Sequence, residues 1–234
     1  MKIFNAFFDL FFPPRCIYCN SPLVLGERPL ICRKCMDTIP NLNIRCGKCD
    51  GVLTYNSGRP ECLVCKTAGR YFDGVFAPAK YIGNVRTAIL KYKFAGQAYM
   101  AKSLVHFTTN SLKRLGIKTD IVLSVPPDTR RQSKRGFDST GALAKIISGS
   151  LKIPYKSGWL KKVRSTPPQS RLTKSQRLKN VKGAFGVTSK ARVDGLSILL
   201  IDDVFTTGAT TSEIAKILKK KGAKYVFVAT LARK

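Results

Sequence analysis

Four branched apolar residues, Ile198 to Ile201, run directly into Asp202 and Asp203 and then into the polar turn TTGAT at residues 206–210. A short apolar run of this kind predicts a strand buried on both faces of a parallel sheet. Beyond the turn, Ile214, Ala215, Ile217 and Leu218 recur at helical spacing, so a helix is predicted from Thr210 to Lys221, closed by Gly222. Asp120 to Val125 is a second apolar run, followed by a basic loop and a helical pattern through Leu143, Ile146 and Ile147. The chain thus holds two strand–loop–helix units. Val85 to Leu115 contains two helix-like stretches around Gly96, and Ile3, Phe4, Phe7, Phe8 and Phe11 follow the spacing of an amphipathic helix packed on the protein. Residues 159–185 contrast with all of these, having eight basic residues and no acid. Such a polar segment is expected not to bury itself, to be mobile without a ligand and to close over one as a lid.

The placement of polar residues between strand and helix narrows the chemistry. At such a turn the free N–H groups of the new helix and the positive end of its dipole suit a phosphate, and Gly208 permits close approach. Two carboxylates would repel that phosphate unless they serve hydroxyls or a hydrated cation. Asp202 and Asp203 can accept hydrogen bonds from the 2- and 3-hydroxyls of a ribose, directly or through Mg²⁺, while Thr206, Thr207, Gly208, Ala209 and Thr210 hold its 5-phosphate. The plainer alternative is that the aspartates end a strand and Thr206 caps a helix.

All eight cysteines precede residue 66, in four Cys-x-x-Cys pairs: Cys16/Cys19, Cys32/Cys35, Cys46/Cys49 and Cys62/Cys65. Adding 30 to the first two pairs gives the last two, so residues 16–35 and 46–65 are two copies of one unit. The spacing matches a four-cysteine structural zinc site, two in all, with ligands expected to pair within each copy. A disulfide framework lacks the secretory signal it would need, and an iron–sulfur cluster stays open on spacing alone. Four thiolates leave no open position for water, so the ribbons are scaffold or interaction surface. His106, the only histidine, has no acidic or cysteine neighbour at ligand spacing and reads as an ordinary helix residue.

The chain has 234 residues, enough for a small domain and a larger one, with 42 basic and 13 acidic groups and a net charge of +29. Residues 71–234 carry 32 basic and eight acidic groups, and residues 125–193 are densest, with 17 basic and two acidic. Such a field attracts nucleic acid, or else serves solubility alone. The opening MKIFNAFFDLFFPP contains Asp9 and leads into a proline pair rather than a cleavage site, and no stretch approaches the roughly 20 apolar residues of a membrane span. A cytoplasmic chain without membrane insertion is expected. Arg130, Arg131, Lys134 and Arg135 lie in the loop after the 120–125 strand, where they are solvated charge or else face the 202–210 turn and bind a pyrophosphate or nucleic acid. Lys91 and Lys93 in LKYKFAG, residues 90–96, read as helix-face lysines over a buried aromatic.

The string ILLIDDVFTTGAT at residues 198–210 resembles the phosphoribosyl pyrophosphate (PRPP) fingerprint of type I phosphoribosyltransferases at every position, Val204 and Phe205 included. With FPPRCxxC, the second cysteine set, LKYKFAG, VPPDTRRQSKRGF and STPPQSRLTKSQRLKNVKGAF, it resembles the ComF family, the ComFC competence proteins and their gluconate-utilisation homologues, over essentially the whole chain. The resemblance implies an α/β fold, a type I phosphoribosyltransferase-like parallel sheet flanked by helices over residues 71–234, preceded by an N-terminal helix and double zinc ribbon over residues 1–70. It implies a pyrophosphate loop at residues 126–137, a flexible loop at 163–182 with Arg164, Arg171, Lys174 and Arg177, and a ribose-phosphate site at 202–210 that takes PRPP with Mg²⁺. One departure is visible, Asp138–Ser139 where the family usually has Asn–Gln. The implied role is natural transformation, handling incoming single-stranded DNA with a competence helicase as partner. Phosphoribosyl transfer needs a hood over the ribose to hold an acceptor, and metal-ribbon sequence stands in its place here. The expected function is therefore PRPP binding and single-stranded-DNA handling with little or no transferase turnover; the alternative is a true phosphoribosyltransferase of nucleotide salvage or DNA-linked metabolism.

Overall fold

The computed structural model describes residues 13–24, 29–39, 70–128, 136–167 and 173–234. The expected N-terminal amphipathic helix, the second cysteine set (Cys46, Cys49, Cys62, Cys65), the loop residues Arg130, Arg131, Lys134 and Arg135, and Arg171 lie outside the described residues, as do the side chains of Lys174 and Arg177. In chain order the elements are α1 (Arg33–Thr38), β1 (Gly74–Phe76), β2 (Ala79–Lys80), α2 (Gly83–Phe94), a 3-10 turn (Ala98–Met100), α3 (Ala101–Leu104), α4 (His106–Arg114), β3 (Ile121–Ser124), α5 (Ser139–Leu151), β4 (Leu160–Lys162), α6 (Lys174–Val181), β5 (Phe185–Val187), β6 (Ser197–Ile201), β7 (Val204–Phe205), α7 (Ala209–Lys220), β8 (Tyr225–Ala229) and β9 (Ala232–Arg233).

The main sheet is parallel throughout, in the order β1-β8-β6-β3. Alternation along its strands divides the core in two. Val122, Leu199, Ile201 and Ala229 pack with Ala88, Ile89, Tyr92, Leu104, Leu143 and Ile147 from α2, α3 and α5 on one face. Ile121, Leu123, Ile198, Leu200, Val226 and Val228 pack with Ile214, Ala215 and Leu218 of α7 on the other. Both faces are covered, which is why Ile198 to Ile201 reads as an unbroken apolar run.

Three strands jog together at the carboxyl edge. After two-residue breaks β1 passes into β2, β6 into β7 and β8 into β9, and the second members form a parallel sheet of their own in the order β2-β9-β7. Asp202 and Asp203 are the break between β6 and β7. There the Asp202 amide donates to the Ala229 carbonyl at 3.0 Å, and the Asp203 carbonyl accepts from the Leu231 amide at 3.1 Å. The backbone groups exposed by the jog are thus satisfied across it.

The polar segment 159–185 stays largely exposed among its described residues, but it buries apolar side chains at its two ends. β4 pairs antiparallel with β5, and α6 starts in a capping box between Thr173 and Gln176. Leu160, Val181, Ala184 and Phe185 are buried in the α7-side core. Few apolar residues suffice because each falls where hairpin or helix meets that core.

The first cysteine unit shares the other core. Cys16, Ile17, Tyr18, Leu23, Ile31 and Cys35 cluster with Met100, Leu104 and Phe107. The Tyr18 and Phe107 rings stand 6.1 Å apart. The Leu30 amide donates to Ser103 Oγ at 2.9 Å.

Candidate functional site

The register of β3 on β6 sets Ser124 beside Ile201, so the chain leaves both strands side by side at the carboxyl edge. From β3 come Val125, Pro126, Pro127 and Asp128, and from β6 come the two aspartates. A cavity of about 510 Å³ opens between them. Asp202, Asp203, Val204, Phe205, Thr206, Gly208, Ala209 and Thr210 all line it. Thr207 is not among the lining residues; its carbonyl accepts from Arg70 Nη1 and its hydroxyl faces the Ala209 amide at 3.4 Å.

The turn into α7 is held from below. Gly208, not Thr206, occupies the helix N-cap position, at φ 72°, in the left-handed region that favours glycine. A Cβ on Gly208 would collide with the Arg70 guanidinium and the Phe205 ring. That guanidinium also lies 5.8 Å from the Phe72 ring centroid and 6.0 Å from that of Phe205. Gly208 has no side chain to cap α7; the Thr207 hydroxyl meets the Ala209 amide, and Gly208, Ala209, Thr210 and Thr211 bring the start of the helix to the cavity wall.

Asp203 Oδ2 is 2.5 Å from Lys93 Nζ, both side chains being largely enclosed. Helical spacing in α2 explains the arrangement. Ala88, Ile89 and Tyr92 are buried on one face, while Arg86, Leu90, Lys93 and Phe94 reach the cavity from the other. Tyr92 is fully buried and donates its hydroxyl to the Ser139 carbonyl at 2.6 Å, with its ring edge-on to Phe137. The motif LKYKFAG therefore does more than lay lysines over an aromatic: Tyr92 anchors α2 to the start of α5, and Lys93 is delivered to the site. Sequence spacing missed Lys93 because the motif lies 110 residues before Asp203.

Asp202 accepts the Asp203 amide at 2.8 Å. Burial first, and then the neighbouring Asp203 charge, push its carboxyl up to about 7, while that hydrogen bond and Lys93 act to lower it. A cation placed between the two acids would reverse the largest opposing effects, which is the chemistry a divalent ion needs.

On the opposite wall Lys162 of β4 reaches Asp128 at 2.8 Å and Thr166 Oγ1 at 2.8 Å, and Ser165 Oγ donates to the same carboxylate at 3.3 Å. The hairpin base is thus tied to the Pro126–Pro127 loop. Arg164 does not reach the cavity as its place in the flexible loop suggests. Its Nη2 donates to the carbonyls of Asn180 and Lys182, at 3.0 and 2.9 Å, because those groups end α6 unsatisfied. Asp138 caps α5 by accepting the Gly141 amide at 2.9 Å, so the departure from Asn–Gln keeps a helix cap.

The expectation that metal-ribbon sequence takes the place of a hood falls largely on residues outside the described ones. Among the described residues, Tyr81 after β2, Arg86, Leu90 and Phe94 of α2, and Lys234 after β9 line the cavity together with the aspartates.

Away from the cavity, the thiol sulfurs of Cys16, Cys19, Cys32 and Cys35 lie within 4.8 Å of one another, positioned to bind one metal ion. The Ser21 hydroxyl lowers Cys19 to about 6, whereas burial raises Cys35. Only a cation lets all four ionise together, which fits zinc. Among the described residues this is the one such group, and His106 begins α4, its Nε2 3.1 Å from Asn110 Nδ2.

Residues 134–234 match the phosphoribosyl transferase domain family. Over 95% of its length the chain is 31% identical to competence protein F of Haemophilus influenzae, covering 98% of that protein. The chain belongs to the ComF family. Its other relatives include the DNA utilization protein YhgH of Escherichia coli K12, 29% identical over 94% of this chain and 97% of that one, and the competence protein ComFC of Streptococcus pneumoniae, 29% identical over 93% and 87%. Family membership brings a phosphoribosyltransferase-type α/β fold with the parallel sheet described above, and relatives named for competence and DNA utilisation. Within the described residues no helix is long and apolar enough to cross a membrane.

Proposed function

We infer that the protein is a PRPP-binding, single-stranded-DNA-handling member of its family, acting in DNA uptake in the cytoplasm. The observation that carries the PRPP half is the meeting, in one cavity, of the α7 N-terminus, the Asp202–Asp203 pair and the Pro126–Asp128 loop. The 5-phosphate lies on residues 206–210, the ribose hydroxyls on the aspartates, and the pyrophosphate toward the loop that carries Arg130, Arg131, Lys134 and Arg135. Mg²⁺ would be held by Asp202 and Asp203 and would neutralise their charge against the phosphates. Lys93 orients Asp203, and Lys162 keeps the hairpin wall closed against Asp128. Titration calorimetry with PRPP and Mg²⁺ tests this: the double variant Asp202→Asn, Asp203→Asn keeps its fold and loses binding, and unchanged affinity would overturn the site.

The DNA half rests on the +29 charge and on relatives named for competence and DNA utilisation. The salt dependence of oligonucleotide binding tests it, with a slope of log affinity on log salt of about −0.7 per contacted phosphate. Alanine at Arg130, Arg131, Lys134 and Arg135 flattens that slope if this loop carries the strand. The family's helicase partner belongs to the same reading. So do a second zinc in the second cysteine set and the division of the chain at residue 70.

A second reading, a true phosphoribosyltransferase, is favoured by Tyr81, Arg86, Leu90 and Phe94, which line the same cavity as the aspartates and offer apolar and hydrogen-bonding groups to an acceptor. Pyrophosphate release from PRPP with a panel of nucleobases decides between binding alone and turnover.

A further inference from the structure

Once Tyr92 and Lys93 are assigned, the stretch from Lys91 to Tyr99 still shows three large side chains to solvent. Lys91 is exposed on α2; Phe94 and Tyr99 are 65% and 66% exposed, the most exposed aromatic residues described. Between those rings the chain turns at Gly96, φ 66°. Each ring stands at a cavity: Phe94 on the rim of the large one, Tyr99 in a second of about 310 Å³ between the first cysteine unit and the end of α2. The second cavity is also lined by Arg15, Asn20, Lys91 and Gln97, two cations and two amides without a carboxylate among its lining residues. Neither Arg15 nor Lys91 enters an ion pair among the described residues.

A large aromatic ring left two-thirds in water gains little from folding, and next to cations held by no carboxylate among the described residues, Arg15 bonded only to the Asn20 carbonyl, it offers what an unpaired nucleotide needs. The ring takes a base by stacking and the cations take phosphates, without reading sequence. A duplex offers no unstacked base to such a ring.

We propose that the groove between the first cysteine unit and α2 is a single-stranded nucleic-acid track, with a base stacked on Tyr99 and backbone phosphates on Arg15 and Lys91. This rests on the nucleic-acid reading above and moves a contact from the 125–193 loops to the seam between ribbon and sheet. Following the Gly96 turn, the strand passes Phe94 at the rim of the PRPP cavity.

Stacking and charge leave different signatures, and fluorescence anisotropy with a mixed-sequence single-stranded oligonucleotide across a salt series separates them. Tyr99→Ala weakens binding about tenfold with the salt slope unchanged, and Tyr99→Trp restores it. Lys91→Gln lowers the slope by about 0.7. Both positions are exposed, and near-ultraviolet circular dichroism confirms that each variant is folded. If the wild type binds and both variants keep its affinity and slope, the strand runs elsewhere and the track is wrong. Preference for duplex over single strand overturns it as well. A wild type that binds no oligonucleotide at low salt overturns the nucleic-acid reading itself, a result distinct from either.

Discussion

Lys93 Nζ lies 2.5 Å from Asp203 Oδ2, joining the end of α2 to the break between β6 and β7. Asp203 has Asp202 as its chain neighbour, so the lysine is the cation that lets two adjacent acids share one enclosed edge. Lys93→Ala leaves Asp203 unpaired and is expected to cost about 2 kcal/mol at pH 7, less than a deeply buried pair because water reaches both groups. Asp203→Asn in the same chain recovers most of that loss. Urea denaturation of the two single variants and the double variant measures the coupling, and additive effects would show that the contact carries none of it.

The raised Asp202 carboxyl makes stability depend on pH in a direction opposite to that of a salt-bridged aspartate. The unfolded carboxyl loses its proton near 3.8, the folded one near 7. Between those values the folded protein holds a proton that the unfolded chain has released, so stability falls as pH rises from 4 to 7. At 1.36 kcal/mol per pH unit the span would be about 4 kcal/mol, and water at this half-buried group reduces it to about 1–2 kcal/mol. Asp202→Asn is therefore expected to melt above the wild type at pH 8, with the gain fading toward pH 4. An amide that destabilises the protein at pH 8 would contradict this account.

Gly208 was legible in the sequence as a turn residue, but its constraint comes from residues far away. Its φ of 72° is strained for any side chain, and Arg70 and Phe205 fill the space a Cβ would take. Gly208→Ala should lower stability by about 2 kcal/mol or more and, by tilting the first turn of α7, weaken ribose 5-phosphate binding more than its effect on folding explains. Calorimetry at a temperature where the variant is fully folded separates the two.

The ribose-phosphate half of the site could be read directly because a strand, two acids and a helix start are consecutive in the chain, and local periodicity reports such units. The other half is assembled across distance. Lys93, Arg70 and Lys162 reach their partners through sheet order and helix facing, which no local pattern records. The second small sheet was hidden for another reason: β2, β7 and β9 have two residues each, too short to show alternation, so nothing marked Tyr81 after β2 or Lys234 after β9 as lining the cavity. Segment 159–185 shows composition misleading in the opposite sense, since Leu160, Val181 and Phe185 are too sparse to look like a core yet bury against α7.

The first cysteine unit yields the last prediction, because a metal held by its four thiols would support a core that belongs equally to the sheet. Ile17, Tyr18, Leu23 and Ile31 are buried with Met100, Leu104 and Phe107, and Leu30 is bonded to Ser103. Residues so few pack this way only if the two Cys-x-x-Cys turns are clasped, and ion binding supplies that constraint. Removing the metal with a strong chelator should therefore lower the melting temperature of the whole chain and change the near-ultraviolet signal of Tyr18 and Phe107, not merely unfold a separate ribbon. The repeated cysteine set gives an expectation of two zinc ions per chain, and Cys16→Ser, Cys35→Ser should reduce the count to one while leaving the second set loaded. Metal analysis of the wild type below about one zinc per chain, or an iron–sulfur absorption band, would refute the assignment. Chelation that leaves both melting temperature and aromatic signal unchanged would show that the core holds Tyr18 without the ion.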